Sequence, residues 1–96
     1  MRVRILPSAI QALSQGGIFY ERQTQGLGAY FLDTLFSEID SLTLYGGIHR
    51  KVFGYHRLLS RRFPYAVYYQ LNEGTVEIWR VLDCRQNPSK TRKSLR

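Results

Sequence analysis

The hydrophobic pattern of this 96-residue chain changes period along its length. Arg2 to Leu6 alternates polar and apolar in "RVRIL", which predicts a half-buried strand ended by Pro7. From Ser8 onward the period becomes helical, with Ile10, Leu13, Gly17 and Tyr20 on one stripe. Ser8 and Gln11 have capping-box spacing, in which a hydroxyl and an amide satisfy free backbone donors. Gly16-Gly17 lowers helix propensity by about 1 kcal/mol per glycine relative to alanine. The pair marks either a kink or the close approach of another backbone, and the sequence leaves both open. Gly26 in "QGLGAY" reads as a helix C-cap. A second stripe, Leu32, Leu35, Phe36, Ile39 and Leu42, then runs to a stop at Gly46-Gly47. Two helices joined by so short a loop predict an antiparallel helical hairpin.

Strand patterns follow. "RKVFGYHRLLS" and "PYAVYYQL" are rich in β-branched and aromatic residues, and Pro64 stands where a strand can begin. Asn72-Glu73-Gly74 reads as a three-residue hairpin connection leading into "TVEIWRVLD". Simple alternation along that last strand sets Arg80 on the face of Val76, Ile78 and Leu82, buried unless a β-bulge turns it outward. "CRQNPSKTRKSLR" keeps one apolar side chain, Leu95, with five basic residues and no acid. Residues 89–96 are therefore expected to be a basic tail, mobile or bound to a partner. The expected fold class is α+β in the order β-α-α-β-β-β. An N-terminal strand and an antiparallel helical hairpin would pack on a small, mostly antiparallel sheet, in a single domain spanning 1–96.

Composition narrows the function classes. With 44% hydrophobic and 14% aromatic residues the chain belongs with globular proteins. No uninterrupted run of about 18 apolar residues is present, so no membrane-spanning helix is expected. The apolar stretch at the start is too short for a signal peptide, and a soluble cytoplasmic protein is expected. A single cysteine, Cys84, excludes an internal disulfide and a cysteine zinc site, and no metal or cofactor is expected. Charge is the informative feature. Residues 1–48 carry three arginines against four acids, whereas residues 49–96 carry eleven Lys or Arg against three acids, a net +8. Such asymmetry points to a polyanionic partner, either nucleic acid or an acidic protein segment.

Catalytic motifs are few. The sequence has no Gly-rich phosphate loop, no paired carboxylates and no His-x-x-x-His metal pair. His49 and His56 fall on opposite faces if they share a strand, and read as sheet or surface residues. Cys84, just past a strand end with no base beside it, reads as an inert thiol. The main constellation is Arg57, Arg61, Arg62, Arg80 and Arg85, interleaved with Tyr55, Tyr65, Tyr68, Tyr69 and Trp79. Guanidinium groups grip phosphates or carboxylates in bidentate fashion, while aromatic faces stack bases or pack apolar anchors. The aromatics are expected to form half of the sheet's core. Arg61, Arg62 and Arg85, placed at turns, are expected to face a partner. The candidate target-binding set is Arg61, Arg62, Tyr68, Arg85, Lys90, Arg92 and Lys93.

A strand, a helical hairpin containing "QGLG", then "R-x-F-P-Y-x-V-x-Y" and "V-L-D-C-R-Q-N-P" occur in this order. Together they make residues 2–88 resemble a toxin of the RelE/ParE superfamily. The resemblance implies a small bacterial toxin of a type II toxin–antitoxin pair. It also implies a partly acidic antitoxin that wraps over the toxin in a hetero-oligomer, and operator DNA contacted only through that antitoxin. RelE-like members cut mRNA in the ribosome with clustered Lys and Arg and a tyrosine near the C-terminus, whereas ParE-like members block DNA gyrase. This chain has no tyrosine after Tyr69. It reads Asp83-Cys84-Arg85-Gln86-Asn87-Pro88 where many relatives read H-x-R-R-x-P, and has Ala66 where a nuclease places an arginine. The expectation is thus a toxin with gyrase inhibition preferred. The alternative is a ribosome-dependent mRNA endonuclease, with Arg57, Arg61, Arg62, Arg80 and Arg85 as catalytic candidates. A third reading is an inactive relative that binds its antitoxin in promoter autoregulation.

Overall fold

A computed structural model describes residues 1–95; Arg96, the last residue of the expected tail, lies outside them. The chain runs β1 (Arg2–Ile5), α1 (Pro7–Gln23), α2 (Leu27–Asp40), α3 (Leu42–Tyr45), β2 (Lys51–Val52), β3 (Tyr55–Leu59), β4 (Tyr65–Asn72), β5 (Thr75–Asp83) and α4 (Pro88–Ser94). The strands form one sheet in the order β1-β5-β4-β3-β2, antiparallel except for β1, which lies parallel to β5. The fold is α+β, with the α1–α2 hairpin packed on one face of the sheet.

The hairpin depends on close backbone approach. A Cβ built on Gly28 would lie 2.4 Å from the Gly17 carbonyl oxygen, and one on Gly16 would lie 2.7 Å from the Phe31 ring. The glycine pair therefore serves the close approach, and α1 runs through it without a break. Gly26 begins α2 in a left-handed conformation (φ 87°) instead of closing α1, whose C-cap is Thr24. The Glu21 carboxylate holds the loop by accepting from Gly26 N–H and Gly28 N–H, each at 2.9 Å. Those bonds favour the ionised form and hold the carboxyl below its ordinary range. The buried stripe is set by this seam: Ala9, Leu13 and Tyr20 on α1, then Phe31, Leu35 and Ile39 on α2, with Leu42 beyond. Ile10 and Phe36, expected on the inner stripe, face outward.

Four other expectations are corrected. The capping box does not form: Leu6 is the N-cap of α1, Pro7 fills the first turn, and the Ser8 hydroxyl donates instead to the Trp79 carbonyl at 2.8 Å. "RKVFGYHRLLS" is two strands, β2 and β3, because Phe53 (φ 55°) and Gly54 (φ 85°) make a tight turn of the primed type. Asn72 pairs with Thr75, leaving the two-residue turn Glu73-Gly74 in place of the expected three. Residues 89–95 are not a loose tail. Asn87 accepts from Ser89 N–H at 2.8 Å and Pro88 opens α4, an N-cap and first-turn pair that fixes a helix start. Leu95 then buries itself against Ala66 and Tyr68.

Between β4 and β5 the register slips. Tyr69 pairs with Ile78 but Tyr68 pairs with Arg80, so Trp79 is an extra residue on β5. Val76, Ile78 and Val81 all reach the hairpin side, joining Val67, Tyr69, Leu13, Phe31 and Leu35 in the main core. Arg80 and Leu82 go to the other face, where Ala66, Tyr68 and Leu95 form a smaller cluster with Val52 and Tyr55. Among the described residues no helix is long and apolar enough to cross a membrane.

Replacing Gly28 by alanine forces a methyl into the α1 backbone and should lower stability by about 1–3 kcal/mol. Gln11→Ala, at an exposed position outside any capping box, should change it by less than about 0.5 kcal/mol. Urea denaturation of both variants checks the pair.

Candidate functional site

The bulge builds a row across the second face of the sheet. Arg57 on β3 is opposite Tyr68 on β4, and Tyr68 is opposite Arg80 on β5. Side chains directly opposite in adjacent strands are cross-strand neighbours, so two guanidinium groups flank one tyrosine. The row is closed from above by α4. Tyr68 is only 4% exposed and Leu95 5%, each covering the other. The Arg80 guanidinium is engaged through two of its three nitrogens: Nε donates to the Ser94 carbonyl at 3.0 Å, while Nη1 donates to Ser8 Oγ and to the Trp79 carbonyl. Arg57 remains half-buried at the open end of the row. Tyr68, expected to bind a target, offers no free face in this arrangement, because the one apolar side chain of the C-terminal segment sits on it.

The other basic candidates lie elsewhere. Arg61 and Arg62 are exposed on the β3–β4 loop, which leans on α2. Arg61 N–H donates to Glu38 Oε2 at 2.9 Å, and Arg62 Nη1 donates to the Tyr30 hydroxyl at 2.6 Å with its guanidinium over that ring. Arg85 grips Asp83 with Nε at 3.0 Å and Nη2 at 2.7 Å, a fork that neutralises both groups. The hydrogen bond from Arg85 holds the Asp83 carboxyl below its usual range, and Asp83 raises the Arg85 pKa in turn. Lys90, Arg92 and Lys93 are exposed on α4, with Arg92 over the Phe53 ring at 5.7 Å. The five arginines first grouped as catalytic thus divide into a closed row (Arg57, Arg80), an α2-facing loop (Arg61, Arg62) and a self-paired turn (Arg85).

Among the described residues no general base stands over the row. Burial pushes the Cys84 thiol up, and Asp83 adds to this, so it is not an activated thiolate. The histidines meet on the hairpin side of the sheet, which their spacing alone does not reveal. Gly47 N–H donates to the Tyr69 hydroxyl at 2.9 Å, and that hydroxyl shares a 2.6 Å hydrogen bond with His49 Nδ1. His56 stacks on the Tyr69 ring with centroids 5.0 Å apart and reaches the His49 carbonyl through Nδ1 at 2.6 Å. A metal cluster of three or more His, Cys, Asp or Glu is absent among the described residues.

The chain matches no family model and no curated protein.

Burial first, and the charge of His56 second, lower the pKa of His49. The folded state favours neutral His49, while the unfolded chain takes up a proton near pH 6.5. Stability should be greatest above that pH and fall as pH drops through the depressed folded value. The denaturant midpoint should decline between pH 7.5 and 5, and His49→Gln should flatten that decline.

Proposed function

We propose that this protein is the toxin of a type II toxin–antitoxin pair, acting on DNA gyrase by binding and not by cutting RNA. The order of motifs across residues 2–88 supports the family reading, and the net +8 of residues 49–96 supports an acidic neutralising partner. One observation carries the choice of target. The cross-strand row that could hold a scissile phosphate has Tyr68 covered by Leu95 and Arg80 committed to Ser94, Ser8 and Trp79. Phosphoryl chemistry needs free cationic donors aimed at the developing charge. With that row covered, target binding falls to the exposed candidates Arg61 and Arg62 on the β3–β4 loop and Lys90, Arg92 and Lys93 on α4. On this reading the protein is cytoplasmic and needs no cofactor.

The alignment of Arg57, Tyr68 and Arg80 in one row favours a second reading, ribosome-dependent mRNA cleavage, which requires α4 to leave the sheet. Induced expression decides between them. Growth should stop, an SOS reporter should fire, purified gyrase should lose supercoiling activity, and transcripts should stay intact in primer extension. New cuts at codon boundaries with a silent reporter would replace the first reading by the second. Normal growth without antitoxin would leave only an inactive, antitoxin-binding relative.

A further inference from the structure

β5 outruns its neighbour at the β1 edge of the sheet. β1 pairs with β5 only as far as Ile78, and Leu6 N–H ends that pairing on the Ile78 carbonyl at 3.0 Å. Past this point no strand flanks β5 on that side, because β1 is the last strand of the sheet. Cys84 N–H donates to the Pro64 carbonyl at 2.7 Å. Alternation therefore turns the main chain of Leu82 and Cys84 toward β4, and that of Val81 and Asp83 toward the open edge. The flanking carbonyls are already taken, Trp79 by the Ser8 hydroxyl and Arg80, and Asp83 by Gln86 N–H at 3.2 Å. Val81 alone presents an N–H and a C=O side by side with no strand to meet them. They open into a cavity of about 440 Å³ walled by Gln15 and Phe19 of α1 and by Tyr65 of β4. Tyr65 is only 9% exposed, yet its hydroxyl makes no hydrogen bond among the described residues. Gly16 passes over that hydroxyl without a side chain, and a Cβ built there would lie 3.4 Å from the oxygen.

We infer that this cavity binds a neutral planar nitrogen heterocycle with a donor and an acceptor side by side, the pairing edge of a nucleobase. The volume is that of a small-molecule site, with apolar walls and a few convergent polar groups. The Val81 N–H and C=O meet the acceptor and donor of the ring edge, and the Tyr65 hydroxyl takes a further ring oxygen or nitrogen. Phe19, 45% exposed on α1, supplies an aromatic face on which the ring stacks. Neutrality follows from the charges in the wall. Asp83 and Arg85 are the only ionised side chains lining the cavity, and they cancel in their own fork. A peptide strand fits less well, because strand addition draws on several alternate residues of an edge and only Val81 is free here. The cavity lies on the hairpin side of the sheet, apart from the Arg57–Tyr68–Arg80 row, and its chemistry holds whether or not the chain is a toxin.

The probes are uridine and adenosine, their edge-blocked forms N3-methyluridine and N6,N6-dimethyladenosine, an oligouridine, and a peptide alternating Val and Thr. Each is added to the full-length protein, and binding is followed by two-dimensional NMR of the backbone amides and of ring-labelled tyrosine. At least one nucleoside should shift both the Val81 amide and the Tyr65 ring, and its blocked form should bind about tenfold more weakly. Phe19→Ala, at an exposed position, should weaken binding about tenfold through lost stacking. Tyr65→Phe should weaken it about fivefold, and should leave the denaturant midpoint unchanged because the hydroxyl has no partner to lose. Tighter binding of oligouridine than of uridine, through the same amide, makes a base within a strand the source of the ligand. Binding of a nucleoside without binding of oligouridine makes it the free nucleoside. The inference fails if neither nucleoside binds at millimolar concentration, if the blocked forms bind equally well, or if only the peptide shifts Val81. Growth arrest on expression is scored separately, so failure here and failure of the toxin reading are distinguishable.

Discussion

A single inserted residue organises this molecule. Were β4 and β5 paired without a slip, Val76, Ile78, Arg80 and Leu82 would share a face, and a guanidinium would stand in the hydrophobic core under α1. Leaving an unpaired charge there would cost several kcal/mol. The bulge at Trp79 instead returns Val81 to the core and sends Arg80 to the opposite face. From that position Arg80 reaches Ser8 at the start of α1 and the Ser94 carbonyl at the end of α4. One side chain thereby ties both ends of the chain to the sheet. The face it joins carries Tyr68, Ala66 and Leu82, and is finished by Leu95.

Much of this fold was legible in the sequence because its periods are strong. The strand–hairpin–sheet order, the stop at Gly46-Gly47 and the choice facing Arg80 all follow from local pattern. What escaped has physical reasons. Phe53-Gly54 hides a turn inside a strand-like run, since a bulky aromatic at positive φ is a rare turn residue. The outward position of Ile10 and Phe36 depends on the exact angle of the hairpin seam, which Gly28 sets by packing against α1. The C-terminal segment reads as loose on composition alone, although Asn87-Pro88 starts a helix there and its one leucine anchors it.

Of the candidate site, the residue types were legible and their grouping was not. Arginines 57, 61, 62, 80 and 85 lie close in sequence order along one sheet. Strand register and loop direction nevertheless separate them into places with different chemistry. Arg61 and Arg62 bend toward α2 because Glu38 and Tyr30 receive them, and Arg85 turns back on Asp83. Only pairing partners, invisible in a single sequence, reveal that Arg57 and Arg80 flank the same tyrosine. The cluster of Tyr69, His49 and His56 was hidden for the same reason, as its members come from a loop and two strands. The exposed charge of this protein thus lies around its edges, and its most phosphate-like cradle has Tyr68 covered by Leu95 and Arg80 bonded through Nε and Nη1.

The closure of that cradle by α4 is the claim on which the functional reading turns. It is tested most directly by nuclear Overhauser contacts in the full-length protein in solution. Cross-peaks between the Leu95 methyl groups and the Tyr68 ring, with a slowly exchanging Arg80 Nε–H, are the predicted result. Absence of those contacts, with random-coil shifts over residues 88–95, would contradict the account and open the arginine row to a substrate.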